Sequence, residues 1–405
     1  MVKTMLTLQE AQARLLGSVT PLAVERVAVE ASVGRVIAES IASTVRLPPF
    51  DNSAMDGYAI ELETKGDRRS LAGESRAGSG GPSKLAPGTA MRIFTGAPIP
   101  EGADAVVMQE HVSLARDAAG EAIVIARPVR AGENIRRAGE DLELHAPCFE
   151  VGDRLRATHL PLLQSLGRSR VTVRRRPVVS ILSTGDELRE SGDAPRPGSI
   201  AETNAAAIAV MCEAEGAIVR RLPIVRDDRA ELRAAVEAAL EGVDVALTIG
   251  GVSVGDHDLV RPVLEEVGVA IDFWKVAIKP GKPIALGRRG ATTVLGLPGN
   301  PVSALVTFVL FGAPLVRAMA GDRSPLPDTT RARLGRSLTR PAGRLELMRV
   351  TLSRAPEGDL LATPVSSQSS GSVVSIARAD GLAMLPLEAT ELQQGAWVEV
   401  IRLDR

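Results

Sequence analysis

The sequence predicts a four-domain chain of α/β plus β class: a central, largely parallel α/β sheet domain, a β-rich domain inserted into the first domain, and a C-terminal β domain resembling a barrel or sandwich. Three observations carry that reading. From Pro177 to about Gly321 the pattern is strand, glycine turn, helix, repeated, which implies a parallel sheet covered on both faces. The flanking stretches are short alternating strands punctuated by Gly and Pro, the signature of small β domains. The chain has 405 residues, more than one hydrophobic core serves.

The boundaries fall at 1–45 with 143–176 for the discontinuous first domain, 46–142 for the insertion, 177–324 for the α/β domain and 325–405 for the last. Thr7-Leu-Gln-Glu10 has the form of a capping box that opens the first helix, and a short extended piece follows at Val24 to Val29. In the insertion, Met91 to Phe94, Ala105 to Met108 and Ala122 to Ala126 read as strands. Thr158 to Leu166 is a helix ended by Gly167. The α/β domain begins with Val178 to Leu182 as a strand running into Ser183-Thr-Gly-Asp-Glu187. A helix from Thr203 to Gly216 and a strand from Ile218 to Val225 come next. A second helix opens at Asp227-Asp228 and closes at Gly242. Val243 to Ile249 feeds Gly250-Gly-Val-Ser-Val-Gly255, and an amphipathic helix runs from Asp256 to Val267. Thr292 to Leu297 then feeds Pro298-Gly-Asn-Pro301, where Asn300 can cap and Pro301 can take the first helical position. The apolar stretch Val302 to Met319 reads as a buried helix. Leu345 to Leu352 and Ala396 to Leu403 are strands of the last domain, and no solenoid repeat is present.

Composition excludes several functions. Net charge is −1 and only nine residues are aromatic, so stacking platforms are scarce and the charge balance argues against a nucleic-acid partner. Cys148 and Cys212 fit neither a metal spacing nor a disulfide framework; they read as small core hydrophobes in a reducing cytoplasm. No segment approaches the uninterrupted apolar length that spans a bilayer. Glu10 and Arg14 interrupt the region where a signal peptide would be apolar.

Lysine usage is the sharpest local signal. Of 48 basic residues only six are lysine, and three of those, Lys275, Lys279 and Lys282, fall within KVAIKPGK. Compact ammonium groups suit phosphate, so the window reads as an anion site, against an exposed turn at Pro280-Gly281. In open α/β sheets ligands lie beyond the carboxyl ends of the strands, where glycine turns present backbone N–H groups. Three such turns should converge here. They supply Thr184; then Gly250, Gly251, Ser253 and Gly255; then Pro298, Gly299 and Asn300. Asp186, Glu187, Asp256 and Asp258 lie where a phosphate would sit, which calls for a hard cation between them; Mg2+ binds through one or two carboxylates plus substrate oxygens. Capping is the competing reading, preferred for Asp256, whereas Asp258 reads as functional and His257 as solvated. Asp51 and Asp56 lie on a rigid loop that contains the single tyrosine, Tyr58.

Seven ordered blocks then carry a resemblance: PPFDNSAMDGYAI (48–60), RIFTGAPIPEGADAVVMQEH (92–111), GENIRRAGEDL (132–142), STGDEL (183–188), GGVSVGDHD (250–258), FWKVAIKPGKP (273–283) and GLPGNPVSALVTF (296–308). The chain resembles the molybdopterin molybdotransferases, the MoeA family that includes the gephyrin E domain. The resemblance implies a four-domain, Mg2+-dependent, cytoplasmic homodimer that inserts molybdate into adenylylated molybdopterin and releases AMP. It also implies possible contacts with a molybdopterin adenylyltransferase and with proteins that mature molybdoenzymes. Its functional positions fall on Asp56, Thr95, Asp141, Glu187, Asp228, Asp258, Lys275 and Lys279, with Arg137, Arg349 and Ser370 nearby, and Glu187 and Asp258 as metal ligands. The rivals are a molybdopterin adenylyltransferase, disfavoured by the 176 residues before Pro177, and a peptide-binding scaffold of the same fold. One departure stands out: the family usually has Gly-X-Ile-X-Asp-Ser-Asn where this chain has Gly198-Ser-Ile-Ala-Glu-Thr-Asn204, so the carboxylate at Glu202 is one methylene longer.

Overall fold

The computed structural model describes residues 5–78, 84–118, 120–251, 259–356 and 358–403. Val252 to Asp258, and with them the expectations for Ser253, Gly255, Asp256, His257 and Asp258, lie outside the described residues. The chain forms two compact units. One comprises Met1–Glu39, Val151–Leu160 and Ser169–Arg405; the other comprises Ser40–Glu150 and Pro161–Arg168.

The smaller unit is built on a six-stranded sheet, antiparallel except where Arg68–Ser75 runs beside Thr89–Ile93. Its central strand, Gly57–Ile60, is buried along its whole length. Tyr58 and Ile60 pack with Val107 and Ile123, while Ala59 packs with Met91, Ile93 and Val106. Alternation therefore buries both faces. The segment around Tyr58, expected as a loop, is thus partly strand, and Asp56 stands exposed at the bend before it.

In the larger unit, Thr7 and Glu10 form the expected capping box on the helix Leu8–Gly17. Val24–Ala28 pairs antiparallel with Arg170–Arg174. The α/β part contains β1 (Val178–Ser183), α1 (Asn204–Ala214), β2 (Ile218–Arg221), α2 (Arg229–Leu240), β3 (Val245–Ile249), α3 (Val260–Glu266), β4 (Ala270–Lys275), β5 (Pro283–Arg289), β6 (Thr292–Leu297) and α4 (Pro301–Thr307). Strand order is β2-β1-β3-β6-β5-β4. The first four strands are parallel, and β5 and β4 add antiparallel at one side. Val179, Ile181, Leu247 and Leu295 join the core layer of α1 and α4. Leu182, Ala246 and Val294 join the layer of α2 and α3. Strands covered on both faces need apolar residues at every position, which explains why they read as continuous apolar runs rather than alternating ones.

Several local expectations change. The strand after α1 stops at Arg221, and Val225 makes only an isolated bridge to Thr184. The second half of the residue 158–166 helix is α (Leu160–Ser165) and the first is a tight 3-10 turn. Cys212 is fully buried, and burial pushes its thiol up to about 12; Cys148 is only half-buried and donates to the Ala146 carbonyl. Contrary to the expectation that no segment approaches spanning length, the run Pro301–Met319 is a 19-residue helical stretch long and apolar enough to cross a membrane by length and composition, but 78% of its most apolar window is buried inside the fold, where it is the buried helix that the sequence predicts. It is not continuous α-helix: Phe308–Gly312 is a π turn. Pro314 lacks the N–H that a regular turn needs, which favours the wider turn just before it.

The last part of the chain closes into a barrel. Leu345–Arg354, Leu360–Pro364, Thr329–Leu334, Trp397–Arg402 and Gly381–Leu385 each pair with two neighbours, and the fifth strand pairs back to the first. Closure removes free edges. Val350, Ala362, Ala383 and Val400 fill the interior.

Candidate functional site

The three turns meet. Ser183 on β1 is in register with Ile249 on β3, and Ile249 with Leu297 on β6, so Thr184, Gly250 and Pro298 follow three adjacent strand ends. Thr184 N–H donates to the Ile249 carbonyl at 3.1 Å, and Gly250 N–H donates to Leu297 at 3.0 Å. Gly250 has φ +92°, and a Cβ there would lie 2.8 Å from the Thr184 carbonyl oxygen, so no other residue fits this approach.

Beyond these ends lies a cavity of about 520 Å³ lined by Thr184, Glu187, Glu202, Asp227, Gly250 and Asn300, with Gly251, Pro298 and Gly299 in the same wall. Asn300 occupies the cap position of α4 with Pro301 in the first turn, but its side chain makes no cap hydrogen bond. Glu187 is exposed at the rim and its carboxylate folds over Gly185. Burial pushes the Asp227 carboxyl up, and the negative charges of Asp186 and Glu187 add to this, against a hydrogen bond from the Asp186 backbone N–H; the Asp227 N–H in turn donates to the Asp186 carboxylate at 3.3 Å. Asp228 does what an N-cap does: it accepts from the N–H groups of Ala230 and Glu231, both at 2.9 Å, at the start of α2.

A second cavity of about 290 Å³ shares Pro283, Pro298 and Asn300 with the first. Lys279, Lys282, Arg344, Arg349 and Ser370 line it, together with Glu346. Lys279 Nζ lies 2.9 Å from Glu346, which also accepts from Arg340 Nε at 2.8 Å. Burial pushes the Glu346 carboxyl up, but these two hydrogen bonds outweigh it and hold it below the usual carboxylate range. Arg340 is itself tied to the carbonyls of Pro386 and Ala389, at 2.7 Å each. Arg349 is fully buried. Its Nη2 donates to the carbonyls of Ser367 and Ser369 at 3.2 Å, while Nε and Nη1 have no partner among the described residues. Burial lowers its pKa, opposed by Glu346. A buried cation with two unspent donors is expensive unless an anion completes it. Lys275 stands exposed at the end of β4, outside both linings.

The remaining expected residues belong to the smaller unit. Asp56 accepts from the backbone N–H and the hydroxyl of Thr95, both at 2.8 Å, and the backbone bond is the largest of the influences that depress its pKa. Arg137 pairs with Asp51 at 2.5 Å, and the Ala138 N–H reaches the same carboxylate at 2.8 Å. Asp141 is paired with Arg136. Among the described residues no group of three or more His, Cys, Asp or Glu side chains has metal-holding geometry.

Sequence reasoning missed Glu346 and Arg340. Glu346 sits between Leu345 and Leu347 in a strand buried along its first six residues. A charge in such a run is a signal, because a buried carboxylate needs partners.

Comparison with known proteins covers the chain in three consecutive blocks. Residues 6–167 match the MoeA N-terminal region (domain I and II), residues 180–318 the model described as "Probable molybdopterin binding domain", and residues 331–403 the MoeA C-terminal region (domain IV). A molybdopterin molybdenumtransferase of Haemophilus influenzae is 38% identical over 400 residues, covering 98% of each chain. One from Bacillus subtilis is 34% identical over 384 residues, covering 93% of this chain and 89% of the relative. The crystal structure of a molybdopterin biosynthesis MoeA protein from Pyrococcus horikosii matches with TM-score 0.79 and 32% identity, covering 99% of this chain and 100% of that one.

Proposed function

The chain belongs to the MoeA family, and from that premise we propose that it inserts molybdenum from molybdate into molybdopterin, taking the pterin in its adenylylated form and releasing AMP. The observation that carries this reading is Arg349, a buried guanidinium with two donor nitrogens unpartnered among the described residues, in the lining of a small cavity that also holds Lys279, Lys282 and Ser370. A tetrahedral oxyanion of molybdate's size and charge would satisfy those donors. The adjoining larger cavity, walled by Thr184, the glycines 250 and 251, and Pro298-Gly299-Asn300, takes the pterin phosphate, with the backbone N–H groups of Gly251, Gly299 and Asn300 as its donors. The shared wall at Pro298 and Asn300 puts the two substrates side by side, so positioning supplies much of the rate.

Asp186, Glu187 and Asp227 bring negative charge together at the mouth; they form no three-ligand cluster, but Mg2+ needs only one or two carboxylates when substrate phosphate and water complete its shell. Glu187 would hold it, with Asp258 as the second ligand, and its charge would polarise the phosphoanhydride. Lys279, held by Glu346 at 2.9 Å, neutralises charge on the departing AMP, with Lys275 and Lys282 as outer cations. Asp228 acts through α2, whose start it fixes. We further propose the domain division given above, a cytoplasmic location in keeping with two free thiols, and a homodimer in which Asp56, Thr95, Arg137 and Asp141 serve the partner's cavity.

The test gives purified protein adenylylated molybdopterin and Mg2+. AMP release only when molybdate is added is the expected result. AMP uptake from ATP by free molybdopterin would instead establish the adenylyltransferase reading, and absence of both activities would leave the scaffold. Glu187→Gln should respond to added Mg2+ by recovering part of its lost rate.

A further inference from the structure

Glu202 is the least explained residue of the larger cavity. Its side chain is 3% exposed. Oε1 accepts from the N–H groups of Asn204 and Ala205, both at 2.8 Å, and so caps α1 in place of Thr203, whose hydroxyl makes no cap bond. Oε2 has no hydrogen-bond partner among the described residues. The nearest cation, Arg221 Nη2, is 3.8 Å away, beyond hydrogen-bond range. Thr184 Oγ1, on a residue 5% exposed, is likewise unpartnered among the described residues. Both atoms belong to side chains that line one cavity.

A buried carboxylate oxygen left without a donor is costly, and so is a buried hydroxyl. Capping explains Oε1 and leaves Oε2 unexplained. An anion would be repelled there. The oxygen therefore calls for an N–H donor, and the Thr184 hydroxyl in the lining of the same cavity can both donate and accept. An amino-substituted pyrimidine ring offers that combination on one edge: an amino or ring N–H next to a ring nitrogen or carbonyl acceptor.

We propose that Glu202 and Thr184 form a recognition pair for the aminopyrimidine edge of a fused heterocycle, with an N–H donating to Glu202 Oε2 and the Thr184 hydroxyl bonding the neighbouring ring atom. The proposal rests on the substrate reading above, because adenylylated molybdopterin carries this chemistry twice, in the pterin and in the adenine. The longer side chain at 202 sets how deep that edge is met.

The test is equilibrium binding without molybdate, using 6-hydroxymethylpterin followed by its own fluorescence and AMP followed by calorimetry. Wild type is compared with Glu202→Gln, which keeps an oxygen for the cap but turns the second position into a donor, and with Thr184→Val, which keeps the shape and removes the hydroxyl. Both variants should weaken one probe about tenfold, leave the other unchanged and melt with wild type; the weakened probe identifies the heterocycle. Glu202→Asp should weaken the same probe by a smaller factor. Wild-type affinity for both probes in both variants overturns the proposal, as does a loss of melting temperature without a loss of affinity, or failure of wild type to bind either probe. Should the pair control pterin or AMP binding while wild type shows no molybdate-dependent AMP release, the functional reading falls and the recognition pair stands.

Discussion

The two ends of the parallel sheet spend their polar groups differently. At the end where the strands begin, Asp244 is fully engaged: it accepts from Arg175 Nη1 and Nη2 at 2.7 and 2.6 Å and from the Val178 N–H at 2.8 Å. Its own N–H donates to Val178, and its carbonyl accepts from Thr293. One residue thus ties three strands together. At the end where the strands finish, Thr184 and Glu202 each keep a buried polar atom unpaired among the described residues, and across the shared wall Arg349 keeps two. The same sheet is held shut at one end and left chemically open at the other. Stability resides where hydrogen bonds close on the protein; binding resides where they do not.

That contrast can be broken by substitution. The largest effect is expected from Asp244→Ala, which removes three charge-assisted bonds, two from Arg175 and one from the Val178 N–H, from a mostly buried carboxylate. The loss should be about 3 kcal/mol, discounted for the part-exposed Arg175, seen as a lower denaturant midpoint, with AMP release per folded molecule unchanged. Arg349→Met should do the reverse. An apolar side chain of similar volume replaces a half-satisfied buried cation, a change that is often neutral or stabilising, while molybdate-dependent AMP release falls on the order of 100-fold through the loss of charged donors. A large drop in melting temperature for Arg349→Met would show that the guanidinium is structural. Lys279→Ala is expected to be milder, about tenfold in affinity for the adenylylated pterin. Arg340 continues to satisfy Glu346 in that variant, so melting should hardly move.

The smallest effect is the dependence on acid. Burial raises the Asp244 carboxyl, but the bonds from Arg175 and Val178 outweigh it and its pKa is depressed in the folded state. A depressed carboxylate contributes stability above its unfolded pKa of about 3.9 and loses it as pH falls through the folded value. The difference in melting temperature between wild type and Asp244→Asn should therefore be constant above about pH 5 and shrink below about pH 4. A difference that persists undiminished at low pH would assign the effect to packing.

How much of this was legible beforehand follows from what each residue answers to. The sheet order could not be read, but its content could: β1, β3 and β6 appear as apolar runs ending in glycine or proline turns because strands buried on both faces have no polar positions. The convergence of Thr184, Gly250 and Pro298 followed from the same logic. The edge strands were harder. Pro283–Arg289 and Ala270–Lys275 run antiparallel, and the lysine window obscured them, since its charges were read for chemistry rather than for structure. Asp228 carries two readings at once. Family resemblance gave it a functional role and the local sequence a capping one, and the geometry on view is the cap. Glu346 and Arg340 were invisible because the carbonyls that hold Arg340 against Glu346 come from Pro386 and Ala389, distant in the chain, and no local pattern announces that approach. Arg349 was found by resemblance alone; only burial reveals that its donors are unspent.

The π turn at Phe308–Gly312 has a consequence for phase. A turn that holds one more residue than the α repeat rotates everything after it by about 100° relative to an unbroken helix. Before the turn, Val302, Ala304 and Val306 are buried, on the segment that leads away from the cavity at Asn300; after it, Leu315, Val316 and Met319 are buried too, on the segment that packs beside the helix Leu8–Gly17. Both halves are buried nearly all round, so the rotation decides which side chains meet the neighbours of each half rather than which face is exposed. A Cβ at Gly312 would collide with the Phe308 ring, so this glycine acts as the joint of a clutch: it lets the substrate-bearing half of the helix and the scaffold-bearing half be indexed separately, at the cost of one residue of pitch.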